Sequence, residues 1–348
     1  MDLRPSEQQR AVCDGVSDFL DKEVTPERVR DAEPMGFDAG VWRGLADMGV
    51  PTLGVSEELG GMGAGLLDLA LVAEAIGAHL TPAPILETQV SLRAVERVDA
   101  GLAGQMRAGV EDSSLSSSLA LRPARQGVFE LVPGGAVSTY VVGLDGEELV
   151  CIEADPPGAT GLLSNFGDAP LAHRQSDGGS RTVLARGQEA RGQFDAALDE
   201  WRVLTAAALV GLGSRAVDLG VEYARSREQF GVPIGSFQVV AHRLADVATE
   251  IEGAQLLVHE AAWAVDEGRA DAAELACMAY LFACESGQHA AAESLHFHGG
   301  YGFTLEYDIQ LFHRRAKAWS LALDGRTGEF QNLADRLLAG SLAPSGGN

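Results

Sequence analysis

Tyr223 to Gln238 reads YARSREQFGVPIGSFQ, and His296 to Phe303 reads HFHGGYGF. In the first stretch Gly231, with Pro233 close behind it, is a helix stop, since glycine accepts left-handed backbone angles and proline cannot continue the helical ladder. Ser236 is then the expected cap of the next helix, which puts Arg227, Gln229 and Phe230 on the last turn before a tight connection. That turn is the negative pole of its helix, so an anion placed there needs a fixed positive partner. The planar fork of Arg227 can hold two phosphate oxygens at once, where a lysine would offer a point charge. The competing reading is that Arg227 neutralises the helix end and pairs with Glu228 or another acid, and that Phe230 is core; Arg225 reads as a surface or packing residue. In the second stretch Gly299 and Gly300 permit a close backbone approach that any Cβ would obstruct.

Both stretches lie in a helical half of the chain. From about Phe194, Val203, Ala207, Val210, Ser214, Val217, Val221 and Ala224 step by four and three, as do Val240, Leu244, Val247, Ile251, Ala254, Val258, Ala261 and Val265. Stripes of this kind are what helices packed at a shallow angle require, so the segments predict members of a bundle. A third helix is expected from about Asp271 to Leu295, and a fourth after Thr304 with Ile309, Phe312, Ala316, Trp319 and Leu323 on one side. Cys277 and Cys284 share a face of the third and read as small core residues. The bundle is bounded at 193–339, and 340–348 is expected to be a flexible polar tail.

Towards the N-terminus the character changes twice. Between Ser113 and about Gly192 short apolar runs, VFELV, STYVVGL, ELVCIE and RTVLA, are broken by Gly, Pro and Asp, which predicts the strands of a small β domain over 113–192. From Ser6, a candidate N-cap, to about Asp112 the pattern is helical, with turn-formers at Pro26 and Pro34 and a glycine-rich run, GGMGAG from Gly60 to Gly65, that reads as a loop between helices. The fold class is therefore mainly α with a small β domain: a helical domain over 1–112, the β domain, and a C-terminal four-helix bundle.

Composition narrows the function. The 50 acidic against 26 basic residues leave a formal charge of −24, which repels polyphosphate backbones, so nucleic acid is not an expected partner and any phosphate must be bound locally. No apolar run approaches the roughly 20 residues that span a bilayer and MDLRPSEQQR has no apolar signal core, so a cytoplasmic protein without a membrane partner is expected. The four cysteines are too scattered for a disulfide framework. His296 and His298 splay apart on a helix with no carboxylate at ligand spacing, so no metal is expected.

At YARSREQFGVPIGSFQ, at HFHGGYGF, and on through Glu306, Tyr307, Arg314, Arg315, Ala316 and Lys317, the chain resembles the acyl-CoA dehydrogenase family, as do GVWRGLADMGVPTLGVSEELGGMG and LVAEAIGAHLTPAP in the N-terminal part. In that family an R-x-x-F-G run, a following F-Q and a later G-G-x-G-[FY] segment contribute to binding flavin adenine dinucleotide (FAD). The resemblance implies that Arg227 faces the pyrophosphate, that Gln229 and Phe230 line the nucleotide, that Gln238 adds a side-chain hydrogen bond, and that Gly299 and Gly300 lie close by. His296 stands where the family commonly has Gln. It also implies that these motifs reach across a subunit interface to a flavin held by a neighbour's β domain. The β domain departs from the family pattern: SSLSSSLALRPARQG stands where a T-E-P-x-A-G-S-D type loop is usual, and with Lys22 and Lys317 the only lysines, the G-x-K-x-[WF]-I-[ST] strand is missing.

The reaction implied by the resemblance takes the pro-R α proton of a thioester to a carboxylate while flavin N5 accepts a hydride from the β carbon; burial of the carboxylate and hydrogen bonds to the thioester oxygen bring the two pKa values together. Counting from Arg314 in RRAKAWSLALDGRTG puts Leu323 where much of the family has its glutamate, and a one-residue gap offers Asp324. Some members place the base early in the bundle, near DEWRV, where Trp201 falls with Glu200 beside it; Glu200 also reads as an acid in the first turn of a helix that stabilises the dipole. Three readings stay open. In the first the chain is one subunit of a hetero-oligomeric acyl-CoA dehydrogenase, similar to the α2β2 enzymes that actinobacteria use on CoA-linked sterol side chains. It would share FAD with a dissimilar partner that holds the base, and would pass electrons to an acceptor such as an electron-transfer flavoprotein. In the second it is a self-sufficient homo-oligomeric dehydrogenase using Glu200 or Asp324, and in the third a cofactor-free structural paralogue.

Overall fold

The structure is a computed structural model that describes residues 5–342. The N-terminal part is helical: α1 (Glu7–Glu23), α2 (Pro26–Asp31), α3 (Ala39–Asp47), α4 (Leu66–Ala78), α5 (Ile85–Glu96) and α6 (Ala100–Glu111). Ser6 caps α1 as expected: its Oγ accepts the Gln9 N–H at 3.2 Å while Gln9 Oε1 accepts the Ser6 N–H at 2.8 Å. The run Gly60 to Gly65 is the loop that leads into α4.

The middle of the chain folds as β1 (Ser117–Leu119), β2 (Val128–Val132), β3 (Tyr140–Asp145), β4 (Glu148–Glu153), a single helical turn α7 (Gly158–Gly161), β5 (Ala172–Gln175) and β6 (Ser180–Arg186). One sheet has the order β1-β3-β4-β6, with β1 parallel to β3 and the other pairs antiparallel; β2 and β5 form a second, antiparallel pair. Phe129 and Val132 from the pair share a small core with Val141, Val150 and Ile152 from the larger sheet. The four apolar runs expected as strands are β2, β3, β4 and β6, whereas β1 and β5 carry no apolar signal. Ser117 in β1 is buried because α5 satisfies it: Thr88 Oγ1 donates to its carbonyl at 3.1 Å, and the hydroxyls of Ser91 and Ser117 lie 2.6 Å apart.

The last strand runs straight into α8 (Gly187–Ser226), so helix begins before the boundary expected near 192. A hairpin, β7 (Glu228–Gln229) and β8 (Val232–Pro233), links α8 to α9 (Gln238–Asp266), and α10 (Ala272–Phe297) and α11 (Ile309–Trp319) complete the four helices expected. Most of the predicted stripes is core: Val203, Ala207, Val210 and Val217 of α8 and Val247, Ile251, Ala254, Val258 and Ala261 of α9 are buried, as are Cys277 and Cys284, whereas Val221 and Val265 are half-buried and Ser214 is exposed. A further helix, α12 (Gly325–Leu342), was not foreseen and takes in 340–342 of the expected tail; 343–348 lie outside the described residues. It docks through charge, with Arg202 donating to both oxygens of Glu329 at 2.7 and 3.1 Å and Arg336 donating to Asp199 at 2.8 Å.

At about 1.5 Å of rise per residue, α8 is roughly 60 Å long and forms the axis on which the rest is assembled. It is long and apolar enough to cross a membrane by length and composition, but 78% of its apolar window is buried within the fold, as a central core helix requires. Its crossing with α4 is set by two glycines. A Cβ on Gly77 would collide with the Ala208 carbonyl oxygen, and one on Gly211 with that of Glu74, so the two backbones are in direct contact. Gly211→Ala is therefore expected to force the helices apart and cost about 1–3 kcal/mol, read as a lowered melting temperature against wild type.

Candidate functional site

Arg227 follows the last residue of α8 rather than lying on its final turn: its N–H donates to the Tyr223 carbonyl at 2.8 Å and its own carbonyl accepts the Ile234 N–H at 2.8 Å. Gln229 and Phe230 lie beyond the helix, on the hairpin, because the chain turns as soon as Gly231 makes a left-handed residue available (φ 81°). Phe230 also takes positive φ, 55°, and is 95% exposed, which rules it out of the core. Nor does Ser236 cap α9: its hydroxyl donates back to the Pro233 carbonyl at 2.6 Å, the cap position belongs to Phe237, and Gln238 is the first, exposed residue of the helix.

The two motifs meet. The Arg227 guanidinium lies 5.9 Å from the ring centroid of Tyr301, which stands on the turn Gly299–Phe303 just past α10. Arg227 is exposed and forms no ion pair among the described residues, so the expected alternative of pairing with Glu228 is not what holds it. Behind the hairpin a groove of about 740 Å³ is lined by Gln229, Phe230, Phe237, Arg243, Glu293 and His296. Arg243, the cation of this groove's lining, stands 3.7 Å from Glu293 and carries no signal in the sequence because it sits amid a helical stripe. A Cβ on Gly299 or Gly300 would meet nothing of this chain within 4 Å, so the space beside these glycines is open; Gly299 needs glycine for its φ of 61°.

A separate cavity of about 300 Å³ opens between the start of α5, the Pro133–Gly134 turn, the loop 165–171 and the facing sides of α8 and α11. Its walls are mostly apolar, with Trp201, Ala208, Trp319 and Ala322 on the bundle side and Pro84 and Leu86 on the other. Glu87 lines it, and among the described residues none offers that carboxylate a side-chain partner. Glu87 is half-buried, and desolvation by the surrounding protein pushes its pKa from 4.5 to about 7. The other two charged residues of the lining are engaged: Asp168 with Arg314, and Arg315 with the carbonyls of Gly167 at 2.6 Å and Leu80 at 3.2 Å. Glu87 was missed in the sequence because an acid in the first turn of a helix ordinarily signals only a solvated carboxylate on the dipole.

Neither acid proposed from the sequence lies in this lining. Glu200 is not in a first turn but deep within α8 and 4% exposed, where Arg93 donates to both its oxygens at 3.1 and 3.2 Å and Arg97 to Oε1 at 2.8 Å. Asp324 is largely exposed and accepts from Arg122 Nε at 3.2 Å, while Leu323 is buried. His298 is buried too, stacked on Tyr223 at 4.1 Å, its Nδ1 2.7 Å from the Ser294 carbonyl. Burial holds its pKa below the ordinary histidine range.

Residues 6–102 match the model of the acyl-CoA dehydrogenase N-terminal domain, and residues 192–327 that of the acyl-CoA dehydrogenase C-terminal domain. Acyl-CoA dehydrogenase IpdE2 of Mycolicibacterium smegmatis is 30% identical over 89% of this chain and 93% of its own length. The chain belongs to the acyl-CoA dehydrogenase family. Acyl-CoA dehydrogenase FadE27 of Mycobacterium tuberculosis is 28% identical over 97% of this chain and 99% of that one. Among solved structures, a variant of the steroid acyl-CoA dehydrogenase Tcur3481-Tcur3483 superposes with a TM-score of 0.85 at 26% identity, covering 97% of this chain and 99% of that one. The ChsE4-ChsE5 complex from Mycobacterium tuberculosis gives 0.84 at 26% identity with the same coverage. A dehydrogenase of this family is a flavoprotein, and the residues where the two motifs meet fit an FAD: the unpaired guanidinium of Arg227 for its pyrophosphate, and a turn at Gly299 and Gly300 with open space beside it.

Proposed function

We propose that this chain is one subunit of a hetero-oligomeric FAD-dependent acyl-CoA dehydrogenase. It would contribute Arg227, Gln229, Phe230, Gln238, His296, Gly299 and Gly300 to a flavin shared with a dissimilar partner, and leave the catalytic base to that partner. The observation that carries this reading is the hairpin tip: Phe230 stands almost wholly in solvent beside an unpaired arginine, with Tyr301, Phe303 and Leu305 also exposed. An apolar projection of this kind, beside a groove lined by Phe237 and Val239, needs a second chain to cover it. Similarity to the ChsE4-ChsE5 complex and to a steroid dehydrogenase named for two components favours a dissimilar partner and a steroid side-chain thioester as substrate.

Bound FAD supplies the hydride acceptor. Arg227 would hold the pyrophosphate, and the turn at Gly299 would let backbone approach it. The apolar cavity takes the acyl group and keeps water from it. The carboxylates of Glu200 and Asp324 are held in ion pairs, one buried under two guanidinium groups and one at the surface, which leaves neither free to take a proton within the cavity. Electrons leave through an acceptor such as an electron-transfer flavoprotein, which fits an acidic, cytoplasmic protein.

Purification of the chain alone and together with the product of its neighbouring gene tests this reading through the visible flavin spectrum. Flavin bound only in the complex, at half a flavin per chain, is the expected result. A yellow chain by itself would instead favour the homo-oligomeric enzyme, and two colourless preparations a cofactor-free paralogue. Glu200→Gln is expected to lower stability by about 2 kcal/mol, since it leaves two partly buried guanidinium groups short of charge, with little change in turnover by the complex. Loss of turnover with flavin retained would put the base at Glu200.

A further inference from the structure

The guanidinium of Arg227 forms neither a hydrogen bond nor an ion pair among the described residues, and an arginine so placed on an exposed turn ordinarily samples many rotamers. What it meets instead is the ring of Tyr301, with Cζ 5.9 Å from the centroid, inside the range over which a cation is drawn to the face of an aromatic ring. Tyr301 is itself held firmly. A Cβ on the next residue, Gly302, would stand 2.7 Å from the Leu295 carbonyl oxygen and 3.0 Å from the His298 Cβ, so the turn is packed against the end of α10. The Tyr301 carbonyl accepts the Thr304 N–H at 3.0 Å and the Thr304 hydroxyl at 2.9 Å. Its ring lies 5.7 Å from that of Tyr307, which packs edge-on to Tyr223 at 6.0 Å and to His298 at 5.7 Å. Tyr223 also supplies the carbonyl that accepts the Arg227 N–H, so backbone and guanidinium of the arginine are both referred to one aromatic cluster.

We propose that Tyr301 is a positioning residue for Arg227, its ring holding the guanidinium in place so that an arriving pyrophosphate meets a fixed fork. The inference rests on the reading of Arg227 as the pyrophosphate clamp. A free arginine gives up side-chain entropy when it closes on a ligand, and one already held by a ring has less to lose. The choice of a ring matters as well. The face of Tyr301 attracts the cation and leaves its N–H donors free for oxygen acceptors, whereas a carboxylate in the same place would use those donors and repel the phosphates. In a chain with 50 acidic residues, a neutral partner is the one that restrains the arginine without adding negative charge beside an anion.

The test is FAD binding by the complex of this chain with its partner, stripped of flavin and titrated with FAD while the quenching of flavin fluorescence is followed. Wild type is compared with Tyr301→Phe, Tyr301→Leu, Arg227→Ala and the double variant Arg227→Ala/Tyr301→Leu, with circular dichroism and gel filtration showing that each folds and assembles. Tyr301→Leu is expected to weaken binding about 3- to 10-fold, and Tyr301→Phe to keep wild-type affinity, because the face of the ring acts and not its hydroxyl. In the Arg227→Ala background Tyr301→Leu is expected to add nothing, as for a residue that works only through the arginine. Unchanged affinity in Tyr301→Leu beside a weakened Arg227→Ala overturns this inference alone. So does an equal loss in both backgrounds, which would make the ring a direct contact of the dinucleotide or a support of the fold, and so does a phenylalanine variant no better than leucine. Unchanged affinity in Arg227→Ala, or no flavin bound by the wild-type complex, overturns the clamp itself and this inference with it.

Discussion

Arg227→Ala is expected to empty the assembled complex of flavin while leaving the chain folded. Both halves of that expectation come from the same geometry. Arg227 is exposed, forms no ion pair among the described residues, and touches its own chain through one ring face and two backbone hydrogen bonds that alanine would preserve. Its removal therefore costs the fold little, well under the amounts that follow from emptying a core position. For a pyrophosphate, by contrast, it is the unpaired cation at the junction of the two motifs, and loss of a bidentate, charge-assisted contact weakens binding on the order of 100-fold or more. Arg227→Lys should recover part of the affinity, because charge is kept and the fork is lost. Flavin per chain after gel filtration, set beside a thermal melt, measures both. Full retention of flavin by the alanine variant would remove Arg227 from the site.

Much of the helical fold, and the two motifs that meet at Arg227 and Tyr301, is legible in the sequence, and for a physical reason. Helical stripes such as Val240 to Ala261 repeat over many turns, so their period survives local irregularity, and the motifs around Arg227 and Gly299 carry residues that few other contexts require together. What escaped is what depends on contacts distant in the chain. β1 is a strand of serines only because Thr88 and Ser91 of α5 meet it, and nothing within Ser117 to Leu119 signals that encounter. Helix α12 has a weak apolar face, and is held by Arg202 to Glu329 and Arg336 to Asp199, pairs more than a hundred residues apart. Arg227, Gln229 and Phe230 are all compatible with a helical turn, and the left-handed pair Phe230–Gly231 makes the segment an exposed hairpin instead. Glu200 shows the same limit: its two arginines, on α5 and just beyond it, turn a candidate base into a structural ion pair.

Glu87→Gln is expected to stabilise the chain at pH 8 and to leave it nearly unaffected at pH 4. In the unfolded chain this carboxyl titrates near 4.5, whereas in the folded cavity it holds its proton up to about 7. Between those values the folded state binds more protons than the unfolded, so stability falls as pH rises through this window and levels off above it. A pKa difference of one is worth about 1.4 kcal/mol, which makes the penalty carried by wild type at pH 8 about 3 kcal/mol. Gln keeps the shape and has no charge to desolvate. Histidines with depressed pKa values, His298 and His313, act in the opposite direction over part of the same range, but equally in both proteins. Arg315 and Asp168, the other charged groups on the cavity wall, are likewise common to both. The difference between the two denaturation midpoints, followed from pH 4 to pH 8, therefore isolates Glu87. A difference that stays flat would mean that the carboxylate is solvated when charged, and the cavity would then be wet rather than an apolar chamber awaiting a ligand.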